Sequence, residues 1–306
     1  MIDHKPSEQE SYSMRYAFFP GCVSRGACRE LYTSMMKIAR PLGLDLFELT
    51  EAACTGAHVI HEQNPDLADA INVRTFAMAE KLNLPLLNIC STCQGVMSQV
   101  KARVRSRPEH LARINEALRE EGLHYSGDLT IKNLTWVLVE DIGLDRLKTL
   151  VKHPLKKLRV APFYGCYILR PSEVLDYEQY PERGSYLEKI IETLGAAPVD
   201  FRGKTKCCGF PILTMNRTNS LSMAGDHLLE AKDKGADCMV TPCPLCHLNL
   251  DANQPDAAGV KRRPIGLPIL HLPQLLGLAM GFEPRELGVQ HHVVSTKSVK
   301  LRIAEV

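Results

Sequence analysis

The sequence predicts an α/β fold built as two duplicated Rossmann-like units with short parallel sheets, related by a pseudo-two-fold. Three observations predict it. One set of cysteine motifs occurs twice in the same order, the hydrophobic period alternates between strand-like and helix-like stretches, and glycines stand where helices must stop.

The first unit opens on a short apolar run at 16–19, read as a buried strand leading into a Gly-Cys turn, and a helix is predicted over 28–42, ended by Gly43. Ala53-Cys54-Thr-Gly follows, then a helix over 65–82, a strand over 84–89 and Cys90-Ser-Thr-Cys93. A charged, helix-prone stretch at 105–127 precedes the segment 131–143, which closes the unit. The second unit repeats the plan. Ala161-Pro-Phe-Tyr-Gly-Cys166 matches Ala17-Phe-Phe-Pro-Gly-Cys22 after a strand at 158–162, and Cys207-Cys208-Gly-Phe matches Ala53-Cys54-Thr-Gly. Cys243-Pro-Leu-Cys246 follows a strand at 237–240, helices are predicted over 184–194 and 220–234 with Gly195 and Gly235 at their ends, and the segment 269–281 matches 131–143 without a gap. Each cysteine motif then lies at the carboxyl edge of a sheet, the crevice where open parallel sheets bind ligands. The expected organisation is an extension at 1–13, units at 14–152 and 153–283 with a boundary in the basic, Pro154-containing stretch 148–157, and a tail at 284–306.

Composition narrows the function. With 37 basic and 35 acidic residues the formal charge is only +2, so no overall field draws the chain to nucleic acid or anionic lipid. Residues 1–13 carry no apolar run, which argues against a secretory signal and for the cytoplasm. The most apolar stretch, 265–281, is broken by Pro268, His271 and Pro273 and falls short of the ~18 residues a membrane helix needs, so direct membrane insertion is not expected. In a reducing compartment, eleven cysteines point to metal ligation or thiol chemistry before disulfides.

The second copy carries five thiols at the repeated positions: Cys166, Cys207, Cys208, Cys243 and Cys246. A structural zinc takes four ligands, so a fifth thiol and a vicinal pair suit a polynuclear iron-sulfur cluster better. The first copy carries four, Cys22, Cys54, Cys90 and Cys93, because Ala53 replaces the first member of the pair. Four cysteines are the complement of a cubane, so the two halves are expected to hold chemically different clusters. A Cys-x-x-Cys alone would equally fit a zinc knuckle or a redox dithiol. Cys28 and Cys238 fall outside the repeat and read as small core residues. His58, His61 and His247 lie beside cysteines and read as polar neighbours that bond cluster sulfurs or face water, with replacement of a missing ligand as the sharper alternative. His271 faces Asn133 in the other copy and so gains no shared ligand role, and Lys261-Arg262-Arg263 reads as a solvated loop.

The doubled pattern of cysteine, Cys-Cys-Gly and Cys-x-x-Cys resembles the paired cysteine-rich CCG domains of the heterodisulfide reductase B family. Tyr164-Gly-Cys-Tyr-Ile-Leu-Arg-Pro-Ser172, Cys207-Cys-Gly-Phe-Pro211 and Thr241-Pro-Cys-Pro-Leu-Cys-His-Leu-Asn-Leu-Asp251 carry the resemblance, which spans roughly 14–282. It implies that Cys166, Cys207, Cys208, Cys243 and Cys246 hold the catalytic noncubane 4Fe-4S cluster, while Cys22, Cys54, Cys90 and Cys93 hold a second, cubane 4Fe-4S cluster. It further implies disulfide/thiol redox chemistry in a complex with a small iron-sulfur partner and a flavin-containing partner, the C and A components of such complexes, since the chain has no Gly-x-Gly-x-x-Gly fingerprint of its own. The Ala53 departure is similar to the B components of sulfur-oxidising heterodisulfide-reductase-like complexes, which implies sulfur held on a lipoate-binding protein. Two rival readings stand beside this one: a non-catalytic CCG protein relaying electrons from a dehydrogenase toward quinone, and a colourless zinc-stabilised scaffold. An enzyme requires an open cavity beside the second cluster, and a relay a covered one.

Overall fold

The computed structural model describes residues 14–57 and 59–304. Strands β1 (Met14–Phe19), β2 (Leu44–Glu48), β3 (Leu86–Asn88) and β4 (Ile131–Asn133) form one parallel sheet in the order β2-β1-β3-β4. Strands β5 (Arg159–Pro162), β6 (Ala197–Pro198), β7 (Cys238–Thr241) and β8 (Ile269–His271) form a second parallel sheet in the order β6-β5-β7-β8. The duplication is therefore one of topology as well as of sequence. In each sheet the strand order reverses between the first and third strands, and cysteines follow both: Cys22 and Cys90 after β1 and β3, Cys166 and Cys243 after β5 and β7. That reversal opens a crevice at the carboxyl ends of the strands.

The helices form where the apolar spacing asks for them. Arg29–Leu42 buries Leu31, Met35, Ile38 and Leu42 on one face, and Gly43 ends it in the left-handed conformation at φ 74°. Pro65–Lys81 begins at Asn64, whose side chain accepts a 3.0 Å bond from the Leu67 amide; Arg217–Asp233 begins in the same way at Asn216, with a 3.1 Å bond from the Asn219 amide. The second of these starts three residues before its expected start at 220, because Asn216 caps it. The helix expected over 184–194 is Tyr186–Thr193, and the charged stretch at 105–127 contains Pro108–Leu118. β2, β4, β6 and β8 are absent from the strands that the sequence predicts, 131–143 and 269–281 being matched only as repeated segments. All four are edge strands; β2 and β6 have mostly part-exposed side chains, β6 is two residues long, and β4 and β8 are three residues each.

The halves are not separate globules. One buried apolar cluster joins Phe18, Leu31 and Ile38 to Leu187, Ile190 and Leu275; another joins Phe19, Phe76 and Met97 to Phe163, Phe201 and Met239. The helix Ser91–Arg105 of the first half starts against the second, with the Ser91 amide donating to the Pro242 carbonyl at 3.1 Å. Cys90 and Cys243, equivalent in the repeat, are in direct thiol contact. Equivalent residues meeting across a junction is what a pseudo-two-fold axis requires. The tail packs back on this body, Val293 and Val294 donating their amides to the buried Asp251 carboxylate at 2.8 and 3.1 Å.

Candidate functional site

The five thiols of the second half converge on one cavity of about 250 Å³, whose wall includes Cys166, Cys207, Cys208, Cys243 and Cys246. β5 runs into Gly165 at φ 73°, where a Cβ would lie 2.9 Å from the Cys246 sulfur, so glycine lets Cys166 turn into the set. The vicinal pair sits on a turn closed by Gly209, at φ 90°, with its would-be Cβ 2.7 Å from the Ser220 carbonyl oxygen. Asn249 holds that turn by donating to the Cys208 carbonyl at 2.7 Å, and Ser220 by donating to the Gly209 carbonyl at 2.8 Å. Cys243 stands at the start of the helix Pro244–Leu250, which carries Cys246 one turn on. The Gly209 and Phe210 amides point at the Cys207 and Cys208 sulfurs at 3.4 and 3.5 Å. Thr92, from the first half, places its hydroxyl 3.3 Å from the Cys243 sulfur.

Crowded against one another, these thiols share protons. Hydrogen bonds from Cys166 and Cys208 pull the Cys207 thiol down to about 2, and bonds from Cys246 and Cys90 hold Cys243 well below the usual thiol range. Cys166 and Cys208 are pushed up by giving their protons toward Cys207, and Cys246 by giving its own toward Cys208. The donor set is soft, crowded and free of disulfides, which fits a polynuclear metal-sulfur group.

The first set follows the same plan with one sulfur fewer. Cys22 donates to Cys54 at 3.3 Å, which lowers the Cys54 thiol to about 6. The Gly56 amide donates to Cys54 at 3.4 Å, the Cys93 amide to Cys90 at 3.4 Å, and the Thr55 hydroxyl to Cys93 at 3.6 Å. Cys22 and Cys54 are exposed while Cys90 and Cys93 are buried, and Ala53 is exposed at the position of the missing thiol. The four thiols thus also come together, in a more open arrangement.

Other residues fall differently. Cys28 and Cys238 are buried outside both sets, and burial pushes the Cys238 thiol up to about 12. His58 lies outside the described residues, and His61 sits in the short helix Val59–Gln63 beyond Cys54. His247 neither bonds a sulfur nor faces water: it is 3% exposed and stacks on His271 with ring centroids 3.8 Å apart. Adjacency to Cys246 in the chain does not bring it to the thiol set, because a helix turns adjacent side chains in different directions. The basic run is largely spent within the chain, Lys261 pairing with Asp226 at 2.7 Å and Arg263 with Asp233 at 2.8 Å. Thr92 and the histidine group give no signal in sequence because they join distant segments.

The family model of the CCG cysteine-rich domain matches twice, at residues 16–98 and 160–251. The chain belongs to the CCG cysteine-rich domain family. This CCG protein is 38% identical over 279 residues to the 8-methylmenaquinol:fumarate reductase membrane anchor subunit of Wolinella succinogenes, covering 91% of this chain and 96% of that one. It is 29% identical over 297 residues to the B subunit of the ferredoxin:CoB-CoM heterodisulfide reductase of Methanosarcina mazei (95% and 98% covered). To a protein of Archaeoglobus profundus described as like the B subunit of heterodisulfide reductase it is 29% identical over 279 residues (90% and 93% covered). A crystal structure of a hypothetical protein from Helicobacter pylori shares the fold at a TM-score of 0.74 and 17% identity, matching 92% of this chain, which spans about half of that one (52%). The CCG domains and the heterodisulfide reductase relatives point to iron-sulfur clusters, and these relatives are subunits of multi-subunit oxidoreductases. Among the described residues no helix is long and apolar enough to cross a membrane.

Proposed function

We propose that this CCG protein is the redox-active iron-sulfur subunit, of the heterodisulfide reductase B type, in a cytoplasmic multi-subunit oxidoreductase acting on disulfide, thiol or protein-bound sulfane sulfur. Cys166, Cys207, Cys208, Cys243 and Cys246 would hold a noncubane 4Fe-4S cluster, and Cys22, Cys54, Cys90 and Cys93 a cubane. Clusters held there supply one-electron transfer. The protein's own part is to keep the two thiol sets adjacent through Cys90 and Cys243 and to set amides and hydroxyls against the sulfurs.

The observation that carries this reading is the cavity itself: all five thiols line it, with Cys166 and Cys207 partly exposed. Beyond the sulfurs its wall is mostly apolar, with Tyr167, Phe210, Pro211, Leu213 and Leu245, joined by the hydroxyls of Ser91, Thr92, Tyr164 and Thr214, and it has no charged side chain among the described residues. Such a lining suits an uncharged arm, such as the sulfur-bearing group of a lipoate-binding protein, over a free ionised thiol. A small iron-sulfur partner and a flavin-containing partner, of the C and A types, would deliver or remove the electrons.

The same apolar wall, with the 38% identity to a menaquinol:fumarate reductase subunit, favours a second reading in which the chain relays electrons toward a quinone. One experiment separates them. The anaerobically purified protein and its Cys208→Ser variant are assayed for iron and sulfide, followed by EPR during titration with a lipoyl persulfide and with a menaquinol analogue. About eight irons, one of two signals lost in the variant, and a response to the sulfur compound support the sulfur reading. A response to the quinol alone transfers the function to the relay, and absence of iron refutes both.

A further inference from the structure

A group of buried ligand-type side chains lies apart from both thiol sets, where the first half, the second half and the tail meet. Cys28 and Glu30 come from the start of the helix Arg29–Leu42, His247 from the helix Pro244–Leu250 and His271 from the end of β8. One ligand atom from each lies within 4.8 Å of the others. All four are buried, at 1%, 8%, 3% and 0% exposure. Asp251 and His292 flank the group, each with a ligand atom within 4.8 Å of His247.

The hydrogen bonding of this group is incomplete. Neither ring nitrogen of His247 has a partner in bonding geometry, and the Nδ1 atom of His292 has none either, whereas the His271 side chain meets the backbone amide of Gln274 at the start of the helix Leu272–Ala279. Glu30 meets one histidine nitrogen, His271 Nε2, at 3.1 Å. The Cys28 thiol lies beside the Glu30 carboxylate and makes one long contact, to the Pro244 carbonyl at 4.0 Å. Buried polar atoms are ordinarily paired, and an imidazole with neither nitrogen paired beside a second with one nitrogen unpaired needs an explanation. A stack of imidazoles, His247 on His271 at 3.8 Å and His292 edge-on to His247 at 4.7 Å, does not satisfy their nitrogens.

We infer that Cys28, Glu30, His247 and His271 form a binding site for one divalent transition-metal ion of the zinc type, which pins the two halves together. Two imidazoles, a thiolate and a carboxylate are a common donor set for such an ion, and the two anionic ligands cancel its charge, so that a buried ion carries no net charge. Ligand atoms need to contract only modestly from their present spacing, since bonds of ~2.0–2.3 Å put tetrahedral ligands within 4 Å of one another, roughly. A cavity of about 340 Å³, lined by Cys28, Glu30, His247, Asp251 and His291, reaches the group from the surface and provides the entry path. The inference does not depend on the substrate of the thiol-lined cavity. It reassigns Cys28 from core packing to metal ligation and gives His271 a role that the repeat denied it.

The test is element-specific, so iron does not obscure it. The full-length, cluster-loaded protein is washed with chelator, titrated with Zn²⁺ and examined by zinc K-edge X-ray absorption alongside the His271→Gln and Glu30→Gln variants. The expected result is about one zinc per chain, with a shell of nitrogen and oxygen plus a single sulfur, and a loss of about tenfold or more in zinc affinity in each variant at unchanged iron and sulfide content. A shell made only of sulfur would place the zinc in a thiol set and overturn the inference. So would a wild-type protein that takes up no zinc, or variants that bind it as the wild type does. If neither variant folds, the wild-type shell decides alone.

Discussion

At the scale of the residue, the thiols that matter were legible because their motifs are local: a Gly-Cys turn, a Cys-Cys-Gly turn and a Cys-x-x-Cys each announce themselves within a few positions. The structure brings the nine repeated thiols together in two groups and leaves Cys28 and Cys238 out of them. What sequence could not reveal is why glycine precedes Cys166. Gly165 combines a left-handed backbone with a sulfur 2.9 Å from where a Cβ would stand, so both strain and space forbid a side chain. The Gly165→Ala substitution is expected to displace the Cys246 sulfur and to cost about 1–3 kcal/mol in the folded protein. Iron content and EPR check this: the signal of the second site should be lost and that of the first retained. Two intact signals would show that the set tolerates the shift and that the close approach has no bearing on the centre.

Among the elements, the helices with clear caps and apolar spacing were readable, and the four edge strands were not, since β2 and β6 bury few side chains and β4, β6 and β8 are too short to show a period. The helix Ser91–Arg105 is the element on which both sites depend. It carries Cys93 after Cys90 at its start, sets Thr92 against Cys243, and runs so close to the second half that a Cβ on Gly95 would sit 2.5 Å from the Tyr167 carbonyl oxygen and 2.9 Å from the Tyr167 Cβ. Backbone at that distance cannot step aside as a flexible side chain can. The Gly95→Ala variant should therefore push the helix away from the second half, destabilising the protein by about 1–3 kcal/mol even though alanine is the better helix former. Denaturant unfolding gives the first quantity, and EPR should report a perturbation of both sites rather than one. Stabilisation by the substitution would mean that helix propensity outweighs the clash and that the junction is looser than this packing implies.

For the whole molecule, the sequence pattern of two units and the structure of two sheets agree in topology yet differ in energetics. Both apolar clusters draw on both halves, and Arg183 of the second half, 2% exposed, grips Glu140 of the first with bonds of 2.8 and 3.1 Å while its guanidinium lies 3.7 Å above the Trp136 ring. No periodicity within one half can report a partner more than forty residues away, which is why the duplication suggests two halves packed face to face without showing that they share one core. If the core is shared, fragments 14–152 and 153–283 expressed separately should expose apolar surface and unfold without a cooperative transition, because each has lost the facing half of its clusters. Mixed under anaerobic conditions they should reassociate and recover the buried environment of Trp136, the single tryptophan of the chain. Its emission gives a direct readout, blue-shifted in the reassembled pair and red-shifted in the isolated first fragment. Cooperative unfolding of an isolated fragment with its own iron complement would show instead that each unit is an independent domain, and the contact between Cys90 and Cys243 would then be a docking contact rather than the centre of one folded body.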